Sequence, residues 1–86
     1  MTISQALALA LQYHEAGRLP DAERIYRQIL AVQPKHPDAL YLLGILAGQV
    51  GRHESEADLI RQAIAVNPGD ARYHLSLGNA LLWLTC

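Results

Sequence analysis

The chain echoes itself at a spacing of 34 residues, and that period limits what it can fold into more than any other feature. Shifted by 34, Leu9 falls on Leu43, Gly17-Arg18 on Gly51-Arg52, and Arg27-Gln28 on Arg61-Gln62. Ala31-Val32 and Pro34 likewise fall on Ala65-Val66 and Pro68, and Leu43-Gly44 falls on Leu77-Gly78. A period of this length marks a supersecondary unit that cannot bury its apolar face alone and must stack on copies of itself. The identities cluster at glycines, prolines and apolar packing positions, so the turns and contacts of the unit are what recur.

Each unit divides into two helical segments. The first runs from about Ile3 to Ala16, where Gly17 supplies a left-handed close. The second opens at Pro20, which is tolerated in a first turn, with Asp21 and Glu23 near the positive end of the helix dipole. It runs to about Gln33, and Pro34 breaks it. A third segment spans about Pro37–Val50 before Gly51, and a fourth about Glu54–Val66 before Asn67-Pro68-Gly69. Asp70 is a natural N-cap for a fifth, about Ala71–Leu84. Ala22, Ile25, Tyr26, Ile29 and Leu30 recur at helical steps, as do Ala57, Ile60, Ala63 and Ile64. The third segment is apolar nearly all round (Leu40, Tyr41, Leu42, Leu43, Ile45, Leu46), as expected of a helix covered on both sides. Arg18 and Arg52, at equivalent turns, are read as satisfying helix-end carbonyls. The reading is an all-α solenoid of five antiparallel helices in one domain, 1–86: unit one at 3–36, unit two at 37–70, and a half unit at 71–86.

Composition excludes several alternatives. Apolar residues make up 51 % of the chain and charged residues 17 %, too apolar for a disordered polymer. Net charge is −1, with seven Lys and Arg against eight Asp and Glu interspersed, so nothing gathers the cations that a nucleic acid requires. No basic residue precedes Arg18, and no apolar run reaches the roughly 18–20 residues that span a bilayer. A soluble, cytoplasmic protein without nucleic-acid or membrane partners is expected. One cysteine, Cys86, rules out an internal disulfide; it is read as a free thiol able to cross-link two copies on oxidation. His14, His36, His53 and His74 lack metal-ligand spacing. Ser4, Ser55, Ser76 and Cys86 lack a nucleophile motif. Neither a cofactor, a metal nor catalysis is expected.

The pattern resembles the tetratricopeptide repeat (TPR), with Trp/Leu-x-x-Leu-Gly/Ala-x-x-Tyr, then Ala-x-x-x-Phe/Tyr, then Pro. Unit one reads Ala6, Leu9, Ala10, Tyr13, Gly17, Ala22, Tyr26, Pro34. Unit two reads Leu40, Leu43, Gly44, Ala47, Gly51, Ile60, Ala63, Pro68. A third begins at His74, Leu77, Gly78, Leu81. Against that pattern Glu56 stands where Ala is usual, with Ala57 one place on, so the fourth helix is expected to rotate slightly or to make a looser contact. His74 replaces a large apolar residue. The stretches Arg61–Ala71 and Leu77–Leu81 are similar to bacterial TPR arrays that precede glycosyltransferase domains of the O-GlcNAc-transferase-like type.

The resemblance implies a non-catalytic module that binds a protein or peptide on the concave surface of the first helix of each unit. Carried over by repeat position, that surface holds Leu7, Leu11 and His14, then Tyr41, Ile45 and Gln49, then Leu75, Asn79 and Trp83. The clamp that grips a C-terminal carboxylate is missing, since Leu7, Leu11 and Tyr41 occupy its positions. An asparagine ladder is missing too, with Ala8, Leu42 and Ser76 in its place. What remains suits an apolar peptide or helix. The fifth segment has no following helix to cover Leu77, Leu81 and Leu84. Leaving such side chains wet forfeits about 1.5–3 kcal/mol each. A homodimer through that helix is therefore expected of an 86-residue chain; the alternative is a recruiting arm of a larger enzyme such as a glycosyltransferase.

Overall fold

The computed structural model describes residues 1–85, and each helix begins and ends where its local chemistry dictates. Helix α1 (Ile3–Glu15) opens on a capping box: the Thr2 hydroxyl accepts from the Gln5 N–H at 3.1 Å, and the Gln5 side-chain oxygen accepts from the Thr2 N–H at 2.8 Å. Helices α2 (Leu19–Val32) and α3 (Pro37–Gln49) each carry a proline in the first turn. Helix α4 (His53–Val66) has Glu54 and Glu56 there instead. Helix α5 (Ala71–Thr85) starts where Asp70 Oδ1 accepts the Arg72 N–H at 2.9 Å. The two glycines that close α1 and α3 hold positive φ, +80° at Gly17 and +84° at Gly51. The next N–H of each turn reaches back to satisfy a carbonyl, Arg18 to Tyr13 and Arg52 to Ala47, both at 2.8 Å.

Connections of three or four residues make successive helices antiparallel neighbours, and α3 also meets α5. Two apolar cores result. Ala10, Ala22, Tyr26, Leu43 and Leu46 join α1, α2 and α3. Leu40, Ile60, Ala63 and Tyr73 join α3, α4 and α5, while Leu30 and Leu59 touch both clusters. Helix α3 is common to the two cores, which explains why its sequence shows no polar stripe. Its Gly44 permits the close approach of α4: a Cβ there would sit 2.9 Å from Ile60 Cγ1 and 3.4 Å from Leu59 Cβ.

The departures from the repeat pattern have local compensations. Glu56 is buried beside Ala57, because Gly48 leaves room for its carboxylate. A side chain at Gly48 would collide with it. The His53 Nδ1–H donates to Glu56 Oε1 at 2.9 Å, so the buried acid is bonded. In α5 the residue before His74 takes the inward role: Tyr73 is buried, while His74 turns outward and bonds the Pro68 carbonyl at 2.8 Å. The backbone N–H groups of the two turn arginines satisfy the helix-end carbonyls, as expected, and their side chains reach acids. Arg18 pairs with Asp21 at 2.9 Å and covers the Tyr13 ring, and Arg52 approaches Glu23 at 4.0 Å. Cys86 lies outside the described residues.

Candidate functional site

Alternation of direction places α1, α3 and α5 side by side, and side-chain contacts join them. Leu7, Leu11 and His14 lie at steps of four and three along α1; Tyr41, Ile45 and Gln49 lie at steps of four along α3. The ends of these two stripes meet through a short hydrogen bond from His14 Nε2 to Gln49 Oε1. With that ring nitrogen donating, His14 Nδ1 accepts from the Tyr26 hydroxyl at 2.9 Å. Desolvation of the Tyr26 phenol, and secondarily the negative charge of Glu15, push its pKa up to about 12. His14 and Gln49 thus tie the two repeats together, and their polar atoms face each other before any ligand arrives.

Tyr41 is committed in a similar way. Its ring packs on Tyr73 of α5 with centroids 4.9 Å apart, and the Arg72 guanidinium lies 5.4 Å from one ring and 5.7 Å from the other. Arg72 is held there by Asp70, with contacts of 2.7 and 3.1 Å. The Arg72 hydrogen bond keeps the Asp70 carboxyl below the usual range. Burial pushes the Tyr73 phenol up, with Asp38 and Asp70 adding to it. Trp83 leaves the line of the stripe and stacks flat on His53 of α4, 4.8 Å between centroids and 3° between planes.

The apolar members remain open. Leu11 is 37 % exposed and Leu75 70 %, Asn79 is exposed, and Leu7 and Ile45 are half-buried. Of the leucines expected to form the self-association face, Leu77 is half-buried against the second core, Leu81 is half-buried, and Leu84 is 44 % exposed. Sequence reasoning missed the Glu56–His53–Trp83 arrangement. A signal for it existed in the pairing of two anomalies, an acid in place of a small residue at 56 and a second glycine at 48. It also missed a groove of about 370 Å³ between Pro34, Lys35 and Leu40 and the Gln62, Ala65 and Val66 end of α4. Among the described residues no cluster of His, Cys, Asp and Glu is arranged to hold a metal, and no helix is long and apolar enough to cross a membrane.

The family model for the tetratricopeptide repeat matches residues 7–64. The chain belongs to the tetratricopeptide repeat family. Among solved structures, it is similar to a mutant O-GlcNAc transferase from Thermobaculum terrenum, with 38 % identity and a TM-score of 0.90. That match covers 93 % of this chain and 15 % of the transferase chain, so the similarity lies within a small part of the larger protein. A comparison with curated proteins gives no match. TPR units commonly mediate protein–protein contacts and are typically non-catalytic.

Proposed function

We propose that this chain is a non-catalytic, cytoplasmic protein–protein interaction module that takes an apolar extended or helical peptide on the surface of α1, α3 and α5. The observation that supports this is the pair of contacts, His14 with Gln49 and Tyr41 with Tyr73, that brace the three helices into one sheet-like layer. Between those braces Leu7, Leu11 and Ile45 stay only partly covered. Rigid support with open apolar side chains lowers the entropy lost on binding. Trp83 and Asn79 border the far end, and His14, Gln49 and Tyr41 act as walls. Selection from a displayed random-peptide library tests the reading. Apolar peptides should emerge, and Leu11→Asp and Ile45→Asp should each weaken them at least tenfold, about 1.4 kcal/mol. Selected peptides that bind both variants as well as the wild type would overturn it.

A second reading is that the module is the non-catalytic recruiting arm of a larger enzyme, a glycosyltransferase among the candidates. It is supported by the similarity to the Thermobaculum terrenum transferase over 93 % of this chain. Sequencing the transcript beyond codon 86 tests it: an open frame entering a catalytic domain supports the arm, and an immediate stop codon removes it.

A further inference from the structure

Gln49 is the exposed end of a chain of hydrogen bonds that starts at the buried Tyr26 hydroxyl and passes through His14. Such a chain can run in either of two directions. In one, the Tyr26 hydroxyl donates to His14 Nδ1, His14 Nε2–H donates to Gln49 Oε1, and the Gln49 amino group is left over. In the other, the Gln49 amino group donates to His14 Nε2, His14 Nδ1–H donates to the Tyr26 oxygen, and the Tyr26 proton is left over. Tyr26 is fully buried, and His14 is the only hydrogen-bond partner of its hydroxyl among the described residues. A donor left unmet there would carry the whole penalty of losing water. The first direction wins. Gln49 Oε1 is spent on His14, while its Nε2 bonds no described residue and offers two N–H donors to solvent.

Those donors stand one turn beyond Ile45 on α3, across the seam from His14, which itself follows Leu11 by three residues on α1. We propose that the Gln49 amino group determines specificity by donating to a main-chain carbonyl of an extended peptide laid over Leu11 and Ile45, with His14 and Tyr26 as its positioning residues. The inference rests on the reading of this surface as a peptide site and deepens it, because it selects the form of the ligand.

Two features narrow the acceptor. A helical ligand has spent its carbonyls on its own ladder except in the last turn, whereas an extended one presents a free carbonyl at every residue. Glu15, next to His14, is exposed, and its negative charge reaches the Tyr26 phenol. That charge repels a ligand carboxylate and leaves a neutral carbonyl as the partner for Gln49.

Binding of library-selected peptides to the full chain tests the proposal. Gln49→Glu keeps the size of the side chain and an oxygen for His14, but turns an acceptor outward where the donors stood. It should weaken binding roughly tenfold with unchanged circular dichroism. Replacing single peptide amides of the ligand by esters makes each preceding carbonyl a poorer acceptor. One such replacement should weaken binding to the wild type and leave binding to Gln49→Glu unchanged, the mark of a direct pair. Nitrogen-15 shifts of His14 read the direction of the chain at about pH 8, where an ordinary imidazole is neutral. The proton should sit on Nε2 in the wild type and be shared between both nitrogens in Tyr26→Phe, which should also bind peptide more weakly. Gln49→Glu binding like the wild type, ester effects equal in both proteins, a proton on His14 Nδ1 in the wild type, or ligands that bind as helices or through a carboxylate would each overturn the proposal. Peptides lost with Leu11→Asp but indifferent to Gln49→Glu would remove this inference and leave the peptide site standing. A library that yields no binder would remove both.

Discussion

A methyl group at Gly48 would run into the carboxylate of Glu56, which the His53 ring N–H holds at 2.9 Å. Alanine at 48 therefore gains helix propensity, at most about 1 kcal/mol, while displacing a bonded acid that takes part in a charge-assisted contact. The two residues should be coupled. With Glu56→Ala already in place, Gly48→Ala should stabilise the fold; in the wild type the gain should vanish or reverse, giving a coupling of about 1 kcal/mol or more in a urea-unfolding cycle. Additive effects would mean the carboxylate swings clear without loss. Tyr26 offers a second measurement. Its phenol is buried, and its pKa is pushed up to about 12, whereas in the unfolded chain it titrates near 10. The folded state keeps the proton where the unfolded state has lost it. The stability linked to this group is thus complete below pH 10 and declines as pH rises towards 12. Near-ultraviolet absorbance should show a phenolate step near 12 in the wild type that is missing from Tyr26→Phe. A Tyr26→Phe variant that instead lost a step near 10 would contradict the burial. The inward position of Tyr26 was legible in its helical step, but its bond with His14 was not; Glu56 and Gly48 stood out only as two separate anomalies until the packing brought them together.

Helix boundaries were legible, because residues with restricted backbones set them. Gly17 and Gly51 have the positive φ that the pattern requires, Pro20 and Pro37 fall in first turns, and Asp70 caps α5. The structural ends of α1 and α3 fall one residue short of the expected ones. The Thr2–Gln5 capping box, a pattern as readable as the closing glycines, went unread. Repeat-equivalent positions are not equivalent in surroundings, however, and Gly44 and Gly78 show the difference. A Cβ at 44 presses on Ile60 and Leu59, while one at 78 meets open space among the described residues. Gly→Ala in a helix gains about 0.8–1.0 kcal/mol from propensity, and overpacking a core costs about 1–3 kcal/mol. Gly78→Ala should therefore raise the stability of the monomer, and Gly44→Ala should leave it unchanged or lower it by up to about 2 kcal/mol. Urea unfolding at low protein concentration compares them directly. A gain of the same size at both positions would mean that α4 does not seat on Gly44 as described.

At the scale of the molecule, stacking makes stability a matter of neighbours. Helix α3 is flanked by α2 and α4 and belongs to both cores, whereas α1 packs chiefly on α2, and α5 chiefly on α4. The sequence announced that asymmetry in the all-round apolarity of α3. It did not announce which face of α5 is left open, because leucines at 75, 77, 81, 82 and 84 surround that helix and give its rotation no direction. Only the burial of Tyr73 and Ala80 fixes the rotation and turns Leu75 and Leu82 outward. In such a stack the terminal elements open first, without unfolding the centre. Backbone amides of α3 and α4 should exchange with solvent most slowly, and those of α1 and α5 sooner, by at least tenfold. Tenfold corresponds to about 1.4 kcal/mol of local opening free energy. The Tyr41–Arg72–Tyr73 bracket and the Trp83–His53 stack are what hold α5 to its neighbours beyond simple burial. Trp83→Ala should accelerate exchange in the C-terminal half of α5 and leave α1 untouched. Equal protection in all five helices would show that the chain opens as one unit, and the nearest-neighbour account of its stability would fail.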